Sequence, residues 1–88
     1  MPEVDVEKEL ESLLADSANR AILESIMGTP KSTSQICTEC GIPTSTGYRK
    51  MQKLAECRAI RKIGIINESG KREILYKSNL YVLSRVLK

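Results

Sequence analysis

The hydrophobic period of this chain switches near Ala59, and that change limits the folds open to it. Before it, apolar residues recur three and four apart, as on helices that bury one face. After it, AIRKIGII is rich in β-branched residues, NESG reads as a turn, and KREILYK alternates imperfectly. The order implies helices followed by an antiparallel hairpin, an α+β arrangement that is mainly helical.

The helical part is punctuated. Val6, Leu10, Leu13 and Leu14 make an apolar stripe, which predicts an N-terminal helix over 3–15. DSAN interrupts it with two candidate N-caps, Asp16 and Ser17. A second helix then carries Ala18, Ile22, Leu23 and Ile26 through Met27, and GTP stops it. A short helix follows, capped by Thr33 or Ser34, burying Ile36 and Cys40 and ending at Gly41. The next helix, about 44–57, opens at Pro43 or Thr44. Leu80, Leu83, Val86 and Leu87 mark an amphipathic C-terminal segment over 79–88. A single domain over 1–88 is expected, with its core in 17–78.

Eighty-eight residues bury only about 60 % of their unfolded surface, so terminal helices or a second subunit should help stabilise the domain. No apolar run approaches a membrane span and no secretory signal opens the chain, which predicts a cytoplasmic location. The net charge of +3 is unevenly spread. Residues 1–30 hold two basic residues against seven acidic ones, and residues 31–88 hold twelve against four. A basic half facing a polyanion fits that division.

The helix around STGYRKMQKLAE has two unlike sides. Gly47, Met51 and Leu54 share the inward side, while Ser45, Thr46, Arg49, Gln52, Lys53 and Glu56 share the outward one. A major groove about 12 Å wide admits one helix and demands donors and acceptors in a rigid row. Ser45, Thr46 and Arg49 offer such a row near the helix start, bordered by Tyr48 and Lys50. Arg49 suits guanine O6 and N7, and Lys53, one turn on, suits a phosphate. At the hairpin tip, Ser69, Lys71 and Arg72 are candidates for a neighbouring backbone or minor groove. A basic helix face is usually only solvated; a tight turn, a preceding capped helix and a basic hairpin together point to nucleic acid. Single-strand binders stack bases on aromatic rings, and with three Tyr, no Phe and no Trp duplex DNA is favoured.

The ordered set of segments resembles the winged helix-turn-helix domain of small prokaryotic, by expectation archaeal, transcription regulators of the ArsR-like group. NRAILESI resembles the opening helix of that family and SQICTECGIPTSTGYRKMQKLAECRAI its central stretch, while NESGKRE falls at the wing. The resemblance implies a three-helix core plus β-hairpin wing, flanked by extra amphipathic helices, and a DNA-binding role such as that of a repressor. Two positions depart from it. Gly47 stands where a β-branched residue is common, at about 1 kcal/mol of helix propensity, which means a frayed helix start or very close packing. Arg58 stands where Gly often ends the recognition helix in a left-handed conformation.

Cys37, Cys40 and Cys57 raise the question of a sensor, because metal-sensing members of the resembling family place paired cysteines near this helix. In register with the family, Ser32 and Ser34 occupy those positions instead. With no His present, a four-ligand zinc site would need carboxylates or a second subunit. Buried structural thiols are the expectation, with no metal, no cofactor and no disulfide. Lacking His and any phosphate-binding glycine loop, the chain is not expected to be an enzyme.

The terminal stripes, Val6, Leu10, Leu13 and Leu14 with Leu80, Leu83 and Leu87, either cap the core or pair two subunits. A homodimer bound to double-stranded DNA as a transcription regulator is the reading that follows. The alternatives are a protein-protein interaction module on the same fold and a metal- or thiol-responsive repressor.

Overall fold

A computed structural model describes residues 6–86, with seven elements in the order α1 (Val6–Leu14), α2 (Ser17–Ser25), α3 (Thr33–Cys40), α4 (Thr44–Glu56), β1 (Ile60–Ile66), β2 (Arg72–Ser78) and α5 (Leu80–Val86). The change of hydrophobic period at Ala59 is therefore the boundary between helix and hairpin. Leu87, one of the apolar terminal positions, lies outside the described residues, and so does the side chain of Val6.

Local chemistry sets the helix ends. Asp16 is the N-cap of α2, its Oδ1 accepting the Ala18 N–H at 2.9 Å. That helix ends at Ser25, two residues short of the expected Met27, and Met27 is exposed. The cap of α3 is Ser32 rather than Thr33 or Ser34. Ser32 and Gln35 form a reciprocal capping box, which satisfies two N–H groups where a lone hydroxyl would satisfy one. Thr33 is instead buried. Gly41 closes α3 at φ 65, a left-handed conformation that costs glycine no steric penalty.

Among the described residues, eleven buried side chains form one contiguous core cluster: Leu10, Ile22, Leu23, Ile26, Ile36, Met51, Leu54, Cys57, Ala59, Ile60 and Leu83. Each large member contributes about 1.5–3 kcal/mol by leaving water. Leu10 from α1 and Leu83 from α5 belong to it, so the terminal helices cap the three-helix core. Leu13 and Leu14 pack partly buried against it, while Leu80 and Tyr81 face outward.

The hairpin is antiparallel, with Ile60 opposite Ser78, Ile63 opposite Leu75 and Ile66 opposite Arg72. Its turn is held by Asn67, whose Oδ1 accepts the N–H groups of Ser69 and Lys71, both at 3.0 Å. At its base, Tyr76 exchanges backbone hydrogen bonds with Lys31, in the connection between α2 and α3. The buried hydroxyl of Ser78 donates to the Leu23 carbonyl at 2.6 Å, fastening β2 to α2. Arg58, between α4 and β1, takes φ 60 although it is not glycine. Its carbonyl accepts from Asn79 Nδ2 at 3.0 Å, and the Ala59 carbonyl accepts the Asn79 N–H at 2.8 Å. The left-handed residue expected at this place is thus retained: the Arg58 and Ala59 N–H groups close α4 on the Ala55 and Leu54 carbonyls at 3.0 and 2.9 Å, and the Asn79 bonds add to the hold on the arginine.

Candidate nucleic-acid interface

α3, the turn at Gly41 and α4 form a helix-turn-helix whose second helix is pressed closely against the first. A β-carbon at position 47 would overlap the Sγ of Cys37, and it would also lie 3.6 Å from Ile42 Cδ1. Gly47 is buried, and Met51 and Leu54 continue its side of α4 into the core. Of the two explanations open to Gly47, close packing is the one observed. The glycine lets the backbone of α4 approach α3, and the shared contact fixes how α4 is presented.

The opposite side of α4 faces water. Ser45, Tyr48, Arg49, Gln52 and Lys53 are exposed, and Thr46 and Lys50 are half-buried. Pro43, the N-cap, makes no side-chain cap hydrogen bond, which leaves first-turn N–H groups available beside these side chains. Arg49 and Lys53 have no ion pair or hydrogen bond among the described residues.

Lys50 differs from its neighbours. Its Nζ lies 2.6 Å from Asp16 Oδ2, across 34 positions of sequence. That hydrogen bond, helped by the Ala18 N–H, holds the Asp16 carboxyl below its ordinary range. Leu13, Asp16 and Asn19 line a hollow with Thr46, Arg49, Lys50 and Lys53, so the corner between α1 and α2 abuts one flank of the cationic row. Asn19 is buried there, its Nδ2 donating to the Leu13 carbonyl at 2.8 Å.

On the other flank, α4 and the hairpin enclose a groove of about 470 Å³ lined by Tyr48, Gln52, Glu56, Lys62 and Tyr76. At the hairpin tip Ser69, Lys71 and Arg72 are all exposed. Three participants were missed in sequence: Asp16, Lys62 and Tyr76. Strand alternation through the buried Ile60 puts Lys62 on the inward-turning side, and that signal was available. Nothing local signals the pairing of Asp16 with Lys50.

The cysteines divide by environment. Cys37 and Cys57 are buried, and burial raises both thiols above their ordinary pKa, with Cys40 adding to the effect at Cys37. Both α3 cysteines are expected on its core side: Cys37 is buried there with Ile36, and Cys40 is half-buried but still packs against the core. Among the described residues no group of three or more His, Cys, Asp or Glu is placed to hold a metal ion.

No protein-family model matches the chain, and neither does any curated protein. Solved structures do. An ArsR-like transcriptional regulator from Rhodococcus sp. RHA1 superposes with a TM-score of 0.79 at 17% identity, over 93% of this chain and 73% of that one. The fold is a winged helix-turn-helix. A possible ArsR-family regulator of Mycobacterium bovis, described as a homodimeric winged helix-turn-helix DNA-binding domain, gives 0.70 at 18% identity over 94% and 78% of the two chains. NolR from Sinorhizobium fredii gives 0.72 at 15% identity over 98% and 89%. Within this fold α4 is the second helix of the helix-turn-helix and the β1–β2 hairpin the wing. Among the described residues no helix is long and apolar enough to cross a membrane.

Proposed function

We propose that this winged helix-turn-helix is a sequence-specific, duplex-DNA-binding regulator of transcription, acting by occupancy of an operator or promoter. The observation that carries the reading is the pairing of a rigidly seated α4 with an outward row of uncommitted donors. Ser45, Thr46 and Arg49 occupy the helix start, where base edges are reached, and Arg49 has the fork geometry for guanine. Lys53 stands one turn on for a phosphate. Tyr48 and Lys50 border the row, and Ser69, Lys71 and Arg72 on the wing reach the neighbouring backbone.

A homodimer is part of the proposal. Leu10 and Leu83 are consumed by the core, so among the described side chains the pairing surface on the terminal helices is Leu13, Leu14 and Leu80, joined by the exposed Tyr81. The homodimeric state of the M. bovis domain supports this. Two recognition helices about 34 Å apart would then meet successive major grooves.

Selection of bound sequences from a random duplex pool tests the reading. A recovered motif with two half-sites, and its loss in Arg49→Ala, is the expected result. Absence of duplex binding at low salt would instead leave the fold serving as a protein-interaction module.

A further inference from the structure

The wing carries apolar side chains that neither the core nor the recognition helix uses. Ile66 is 75% exposed and Ile74 49%. The strand register puts Lys62 opposite Tyr76, Gly64 opposite Ile74 and Ile66 opposite Arg72, so these six residues share one face of the ribbon. At the base of that face Lys62 and Tyr76 line the groove against α4. Farther out, Lys62, Gly64, Ile66, Arg72 and Ile74, with Ile65 at the edge, line a second concavity. Lys62 belongs to both, so the apolar strip continues the groove between recognition helix and wing.

β-branched residues left in water on a two-stranded ribbon with open edges invite pairing with another surface. Charge decides which surface. From Ile60 to Ser78 the wing holds Arg61, Lys62, Lys71, Arg72 and Lys77 against only Glu68 and Glu73. A second wing would bring like charge to that face, whereas a polyanion brings the opposite charge.

We propose that Ile66 and Ile74 form an apolar duplex-contacting strip, flanked by Lys62 and Arg72 as phosphate clamps. The inference rests on α4 being the recognition helix. With α4 in a major groove, the surface beyond the α4–wing groove lies across one phosphate strand, along the adjacent minor groove. The walls of that groove are deoxyribose C–H groups, which suit isoleucine, and its rims are phosphates, which suit Lys62 and Arg72. The two contributions have separable signatures. Cation–phosphate contacts release counterions and set the slope of log K against log salt, while apolar burial shifts log K equally at all salt concentrations.

The test uses the full chain and a duplex recovered from the random pool, titrated from low to moderate salt. Ile66→Ser/Ile74→Ser should lose about tenfold in affinity at every salt with an unchanged slope. Lys62→Ala/Arg72→Ala should flatten the slope by about two. Both isoleucines are exposed, so an unaltered thermal unfolding curve should accompany the first variant. Three results would overturn the strip: wild-type affinity in the isoleucine variant, a flattened slope in that variant, or a reduced oligomer size in sedimentation. Failure of the wild-type chain to bind any duplex sinks the regulator reading itself. Duplex binding that depends on Arg49 but not on the isoleucines sinks only the strip.

Discussion

Gly47 and Cys37 occupy one space: the sulfur of the cysteine fills the volume that a β-carbon on the glycine would need. A residue that weakens α4 by its helix propensity therefore strengthens the join between α4 and α3. The α4 helix is held by contact with its neighbour, and its local preference is overridden.

Gly47→Ala should accordingly destabilise the domain, by about 1–3 kcal/mol, although alanine is the better helix former. Cys37→Ala removes the obstructing sulfur and leaves Cys37 Cβ as the nearest remaining atom of that side chain, at 3.8 Å, an ordinary contact. The double variant Cys37→Ala/Gly47→Ala should recover most of the loss. Urea unfolding of the four proteins in a double-mutant cycle measures the coupling, and additive effects would contradict the shared-space explanation.

Arg58 pays a left-handed backbone penalty that glycine does not. Its φ of 60 lets the Arg58 and Ala59 N–H groups close the end of α4 on the Ala55 and Leu54 carbonyls, and Asn79 bonds to the Arg58 and Ala59 carbonyls as well. Relief of about 1–2 kcal/mol of strain, less the entropy glycine adds to the unfolded chain, predicts that Arg58→Gly stabilises by about 0.5–1 kcal/mol. A thermal midpoint that fails to rise would show that the arginine side chain supplies a compensating contact.

If the proposed function holds, Asp16 competes with DNA for Lys50, which it binds at 2.6 Å. Asp16→Asn keeps an equally good N-cap for α2 while releasing the lysine. The expected outcome is tighter duplex binding, by roughly two- to fivefold, and a salt slope steeper by about one. A slope unchanged from wild type would place Lys50 away from the phosphates.

The same pair sets an acid dependence. The folded-state pKa of Asp16 is lowered from 3.8, so its contribution to stability is present above that value and is lost as pH falls through the lower, folded value. Stability of Asp16→Asn should vary less with pH in that window than stability of the wild type. Chemical unfolding at a series of pH values below about 4 makes the comparison.

Thiol accessibility should follow burial. Under native conditions an alkylating reagent should label Cys40 first, with Cys37 and Cys57 reacting only as the domain opens. Mass spectrometry of partially labelled protein reports the order. Rapid labelling of Cys37 would mean that the α3–α4 join is loose.

Much of this molecule was legible in its sequence, because secondary structure and amphipathic faces depend on neighbours within a few residues. The spacing of Met51 and Leu54 gave α4 its inward side, and the same wheel put Arg49 and Lys53 outside. The switch to β-branched residues at Ile60 and the Asn67–Gly70 turn located the wing. What only the tertiary structure decided are relations between segments. Whether Gly47 means fraying or close approach depends on where α3 crosses α4. That crossing also buries Cys37 and leaves Cys40 half-buried. Leu10 and Leu83 look like surface stripes in isolation and become core only when α1 and α5 fold back over α2. Lys50 looks as uncommitted as Arg49 until the α1–α2 corner brings Asp16 within 2.6 Å. Period and propensity are local quantities, whereas steric exclusion and ion pairing depend on distances set by the packing of the whole chain.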